Sequence, residues 1–215
     1  QRYTGAVTLQ QDTTLTGTTI TFEDTVDAAA AGVQSLAIVG NLVANGAIGD
    51  TTALEFVTVS GTSTLNGQTV DTTGTQTYTG AVTLQQDTAL TGSTVIFSAI
   101  VEGTAAGQQS LAIVGNVEFH GTVGWTTSLE SVTVSGTTEL DCVRVGTVGL
   151  QTYTGVVTVD QTATLSGSTV TFHSTVDAAD AGVQSLAIAA NLVANGAIGQ
   201  TTPLGQFTVA GTSAL

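Results

Sequence analysis

The sequence predicts an all-β fold, a three-sided parallel β-helix (β-solenoid), and three observations carry that expectation. Apolar residues alternate with hydroxyls in short runs such as Val7-Thr8-Leu9 and Ile20-Thr21-Phe22, the period of a strand with one face in and one face out. A long internal repeat runs through the chain: Tyr3, Tyr78 and Tyr153 are evenly spaced, each inside a Gln-x-Tyr-Thr-Gly phrase. Gly, Asn and Asp punctuate the runs at short intervals, while helix periodicity is missing and neither Lys nor Met occurs.

The elements follow in order from the repeat. Residues 1–75, 76–150 and 151–215 are nearly three copies, read as one continuous solenoid, and Gly-Val-Gln-Ser-Leu-Ala-Ile at Gly32 returns at Gly182 and, altered by one residue, at Gly107. Inside the first copy three units open at Ala6, Ser35 and Phe56, running to Gln34, Glu55 and Gly80. Each reaches a shared glycine without gaps, at Gly17, Gly46 and Gly67, and places Leu15, Ala44 and Leu65 at one equivalent position. A unit of about 25 residues cannot enclose its own apolar face, so the reading is about nine coils that cover one another in a rod on the order of 40 Å long. Val7, Leu36 and Val57 are expected to stack inside it, continuing through Val82, Leu111, Val132, Val157, Leu186 and Phe207. Asp12, Asn41, Thr62 and their equivalents form a turn column suited to a side-chain hydrogen-bond ladder.

Composition narrows the partners. Two basic residues against 16 acidic ones give a net charge of −14, which repels nucleic-acid phosphates and anionic lipid surfaces, so no nucleic acid is expected as a partner. No apolar run approaches the roughly 20 residues of a spanning helix, so no membrane insertion is expected. Only 8% of residues are charged, yet 41% are hydrophobic, so the chain can bury a core while hydroxyls and amides keep its surface polar. The single Cys142 makes no internal disulfide. Opening on Gln1 rather than Met suits a processed product or a segment of something longer.

Three phrases carry a resemblance that covers almost the whole chain: Gln76-Thr-Tyr-Thr-Gly-Ala-Val-Thr-Leu, Asp12-Thr-Thr-Leu-Thr-Gly-Thr-Thr-Ile-Thr-Phe and Phe56-Val-Thr-Val-Ser-Gly-Thr-Ser-Thr-Leu-Asn-Gly. In them the sequence resembles the β-strand repeats of very large secreted bacterial surface proteins, the filamentous-haemagglutinin-like adhesins. The resemblance implies an extracellular or cell-surface rod, structural or adhesive and not an enzyme, with a host surface or carbohydrate as its partner class. It carries over no catalytic residue and no cofactor. Self-association head to tail into a fibre or longer array is expected from the ends, because Leu215 is equivalent to Leu65 and Gln1 to Gln76, leaving strand edges that recruit another strand.

Other classes are weighed against this one. Polysaccharide-cleaving β-helix enzymes need clustered carboxylates, whereas Glu23, Asp24, Asp27, Asp177 and Asp180 fall in long connections and read as a solvated face. Ice binding needs a flat threonine array, and the outward column Thr8, Ala37, Thr58, Thr83, Ala112, Thr133, Thr158, Ala187 and Thr208 supplies threonine at two positions in three. The sharpest cluster is Glu118, His120, Glu139 and Asp141, which replace Val43, Asn45, Thr64 and Asn66 of the first copy. Adjacent coils bring these four within steps of about 5 Å, giving either a divalent-cation site or a solvated patch whose charge His120 or Arg144 offsets. Trp125 and Arg144 also belong to the second copy alone, and His173 reads as an exposed strand residue.

Overall fold

The computed structural model describes residues 1–215 and contains strands and turns without a helix. The backbone winds through about ten turns lying about 21 residues apart, close to the expected coils, and every paired strand runs parallel to the one a turn above or below. Alternation places one residue of each pair inside, so Leu36, Ile38, Val57 and Val59 are buried while Thr58 between them is exposed. The longest strands turn a corner. Leu36–Ala44 pairs its first half with Val57–Val59 on one side of the prism and its second half with Ser63–Leu65 on the next. In the first copy this corner is made with Gly40 at φ 141°, where a Cβ would come 1.7 Å from the Gly17 carbonyl oxygen. Gly115 repeats this in the second copy, at φ 139° and 1.8 Å from the Gly92 oxygen.

The turn and the repeat differ in period. Tyr3, Phe22, Ala44 and Leu65 mark one side on four successive turns, and Tyr78 follows Leu65 two sides later. One copy of the repeat therefore takes three turns plus two sides, and each copy is rotated by a third of a turn against its predecessor. Tyr78 accordingly lies in the column Leu15, Ile38, Val59, Tyr78, Phe97, Phe119, Leu140 and Val159. Tyr153 lies in a third column, after Val70, Leu90, Ile113 and Val134 and before Phe172.

This phase corrects the expected columns. Leu36 does lie on Val57, as Leu111 lies on Val132 and Leu186 on Phe207. Val7, however, pairs with Val26, Val57 continues to Gln76, and Val82 sits between Ser63 and Val101. Two uncounted strands are the reason: Val26–Ala28, which completes a turn inside the first unit, and Thr75–Tyr78, whose inward residue Gln76 reads as polar and hides its membership of the core. The turn column changes in the same way. Asn41 Oδ1 accepts from the Thr62 amide at 2.9 Å, as Asn116 does from Thr137, but Asp12 accepts from the Ser35 amide at 3.0 Å, so these are separate two-turn rungs.

Aromatic rings stack along the axis where the copies place them. Phe97 lies between Tyr78 at 5.5 Å and Phe119 at 5.7 Å, and Tyr153 stacks on Phe172 at 5.5 Å. Each such pair adds about 0.5–1.5 kcal/mol beyond its burial. The buried polar groups beside them are satisfied: the Gln76 amide donates to the Val70 and Thr91 carbonyls at 2.8 Å each, and its Oε1 accepts from the Tyr78 hydroxyl at 2.9 Å. Gln151 and Tyr153 repeat the arrangement with Val145 and Ser166.

Candidate functional site: an acidic row with one histidine

Glu118 and Glu139 are outward residues of strands Leu111–Phe119 and Thr138–Leu140, and the register sets them directly opposite each other. His120 and Asp141 each lie two residues further along their own turns, just beyond the strand ends. The structure thus brings all four predicted residues together. His120 Nδ1 is 3.0 Å from Asp141 Oδ2 and its Nε2 is 3.4 Å from Glu118 Oε2. Only the imidazolium can donate to both, and the Asp141 hydrogen bond, helped by Glu118, holds the ring's pKa above its ordinary value against the opposing effect of burial.

Asp160 extends the row one turn on, because Leu140 pairs with Val159. Its Oδ2 finds no hydrogen-bond partner, whereas Asp141 Oδ1 accepts from the Gln161 amide at 2.7 Å. Partial burial, then crowding by Asp160 and Glu118, raises the pKa of Glu139, while burial followed by Asp141 and Asp180 raises that of Asp160. The arrangement is therefore a row of stacked carboxylates with one imidazole set between two of them, and His120, Glu139 and Asp160 bind protons more tightly here than in water. No three of its ligand-type side chains converge around a point as a metal centre would require.

Other predicted residues take structural parts. Arg144 does not offset the row: its guanidinium lies 5.7 Å from the Trp125 ring centroid, and the ion pairs of the chain involve Arg2 and His120 only. Asp27 Oδ1 accepts from the Thr51 and Thr52 amides at 3.0 Å each, and Asp177 does the same for Thr201 and Thr202, so these acids pin the long connections. Glu102, which sequence reasoning passed over, does so with both oxygens, at 2.9 Å from the Thr126 amide and 2.6 Å from Thr127. Its equivalence to Asp27 and Asp177 under the long repeat was the available signal. The Asn45 hydrogen bond, with Arg2 behind it, lowers the carboxyl pKa of Glu23. His173 Nδ1 meets the Asn195 side-chain amide at 3.0 Å, and burial pushes the Cys142 thiol up to about 12, which keeps it inert.

The threonine column expected for ice binding is divided among the sides. Thr58 lies between Ala37 and Thr77, Thr83 between Thr64 and Glu102, and Thr133 between Ala112 and Thr152. Ile96, Glu118 and Glu139 continue the first of these rows, so no side presents a flat threonine array over its length.

Fold and site together define the class: a three-sided parallel β-solenoid built from a long internal repeat, with one copy carrying a distinct set of charged and aromatic residues. No family model matches the chain, and neither the curated proteins nor the solved structures yield a match. No helix of the structure is long and apolar enough to cross a membrane.

Proposed function

We propose that this chain is a segment of an extracellular or cell-surface rod, structural or adhesive in role and not catalytic, of the kind that filamentous-haemagglutinin-like repeats build. One observation carries the reading: the hydrogen-bond ladders pass through both copy boundaries without a break. The boundary strand Thr75–Tyr78 pairs with Val57–Val59 before it and Thr88–Phe97 after it, and Leu150–Tyr153 does the same between its own neighbours. Adding copies therefore lengthens the rod at constant cross-section, and three full copies take eleven turns, about 53 Å at ~4.8 Å per turn. That is a whole number of turns, so an array built on this repeat advances by pure translation every third copy.

Head-to-tail growth is part of the same reading. Arg2–Tyr3 pairs only with Thr13–Phe22, and Phe207–Val209 only with Leu186–Ala194, so each end offers a strand edge to further coils, whichever polypeptide supplies them. A contact of this heterologous kind propagates as a fibre because it does not close. Sedimentation velocity and negative-stain microscopy across a concentration series test it. Rods of uniform width that lengthen with concentration are expected, and a monomer at every concentration would overturn the end-to-end part.

A further inference from the structure

We infer that the groove beside the stacked Trp125 and Arg144 is a binding site for a saccharide bearing a carboxylate, a uronic-acid-type ring. The site deepens the adhesive reading above, yet does not depend on fibre formation. It is a depression of about 350 Å³ whose walls include Trp125, Val143, Arg144, Thr164 and Ser166. Trp125 is 55% exposed and Val143 50%, so an indole and an aliphatic side chain face solvent side by side in this depression. Arg144 lies beside them as a plate. Its guanidinium stacks 5.7 Å from the indole centroid, and a Cβ on Gly146 would meet its Nε at 2.9 Å, so glycine there is what lets the guanidinium lie against the backbone.

Arg144 has no carboxylate partner in a chain holding 16 acids; its Nε and the Ser166 Oγ are buried beneath the groove without a hydrogen-bond partner, so the terminal Nη groups of the guanidinium are the ones left to meet a ligand. A guanidinium fork held in place without an anion suits one incoming carboxylate. The exposed part of the indole suits the C–H face of a pyranose ring, and the Thr164 hydroxyl suits one of its hydroxyl groups. Net charge sets the size of the ligand: at −14 the chain repels densely charged polyanions, whereas a short uronide brings one charge per ring with a large neutral body. The first copy has Asp50 and Thr69 at the positions of Trp125 and Arg144, so the site belongs to the second copy.

Trp125 is the sole tryptophan, and its emission reports on the groove without a label. The experiment titrates the full chain with tri-galacturonate and with the neutral galactose trimer, following fluorescence and, in parallel, calorimetry. Saturable binding of the uronide at least tenfold tighter than of the neutral trimer is expected. Arg144→Gln should bring the two ligands within threefold of each other, and Trp125→Ala should abolish binding by calorimetry, both with unchanged circular dichroism and melting. Equal binding of the two sugars, no saturation at millimolar uronide, or a discrimination that survives Arg144→Gln would each overturn the assignment. Rods can form in any of these outcomes, so the two readings fail separately.

Discussion

Gln76 and Tyr78 show what a residue contributes when it satisfies a polar group inside a solenoid. The amide spans two neighbouring carbonyls, and the phenol closes the remaining acceptor, with both side chains fully buried. Tyr78→Phe keeps the ring stack but strands the Gln76 oxygen, and denaturant unfolding should register a loss of about 1–3 kcal/mol. Tyr3→Phe, in the exposed first turn, should cost less than half as much, because Gln1 stays in contact with water. Glycine supplies a second case. Gly115→Ala forces a Cβ against the Gly92 carbonyl at positive φ, and the same melts should show at least about 2 kcal/mol of destabilisation. The third copy carries Ala190 at this position, so Ala190→Gly should change stability by well under half of that amount. The Gln-x-Tyr phrase was plain in the sequence as a repeat marker. Its place in the core was not, since a hydrophobicity pattern cannot register a glutamine buried by its hydrogen bonds.

At the level of paired strands, the acidic row links register to pH. His120 has its pKa raised by Asp141 and Glu118, so its contribution to stability is complete below its unfolded value, about 6.5, and disappears as pH rises through the higher folded value. Glu139 and Asp160, also raised, hold protons more tightly folded than unfolded, so they too favour the native state on acidification and weaken it as pH rises through their folded values. All three act in one direction. Thermal melts should show greater stability near pH 5 than near pH 8, by on the order of 1 kcal/mol given the partial exposure of these groups. Glu139→Gln should raise the melting temperature at about pH 8 and flatten the slope, whereas His120→Gln should lower it chiefly at about pH 5. A chelator should leave these melts unchanged, because His120 already stands between Glu118 and Asp141; a fall in melting temperature on chelation would restore the divalent-cation reading. Glu118, His120, Glu139 and Asp141 were legible as a cluster because the two sequence units that hold them are also successive turns of the solenoid. Asp160 was not, because the step from Leu140 to Val159 is shorter than the one before it and crosses a copy boundary.

Across the whole molecule the controlling fact is that the repeat and the turn do not share a period. Strand alternation and the long repeat made the solenoid readable, and dividing each copy into three units came near the true size of a coil. The phase was hidden, because Thr75–Tyr78 and the corner-turning strands add sides that apolar spacing alone does not count. Equivalent surfaces of successive copies therefore face three directions, and the array proposed above would display each of its patches in rotation around the axis. Spin labels test that phase most directly, with Cys142 first replaced by Ala. Labels at Thr58 and Thr77, partners on adjacent turns of one side, should broaden each other strongly, while labels at Thr58 and Thr83, equivalent positions of successive sequence units that lie on different sides, should not. Strong coupling between Thr58 and Thr83 with none between Thr58 and Thr77 would contradict the account, since it would mean that each coil is one sequence unit and that all copies face the same way.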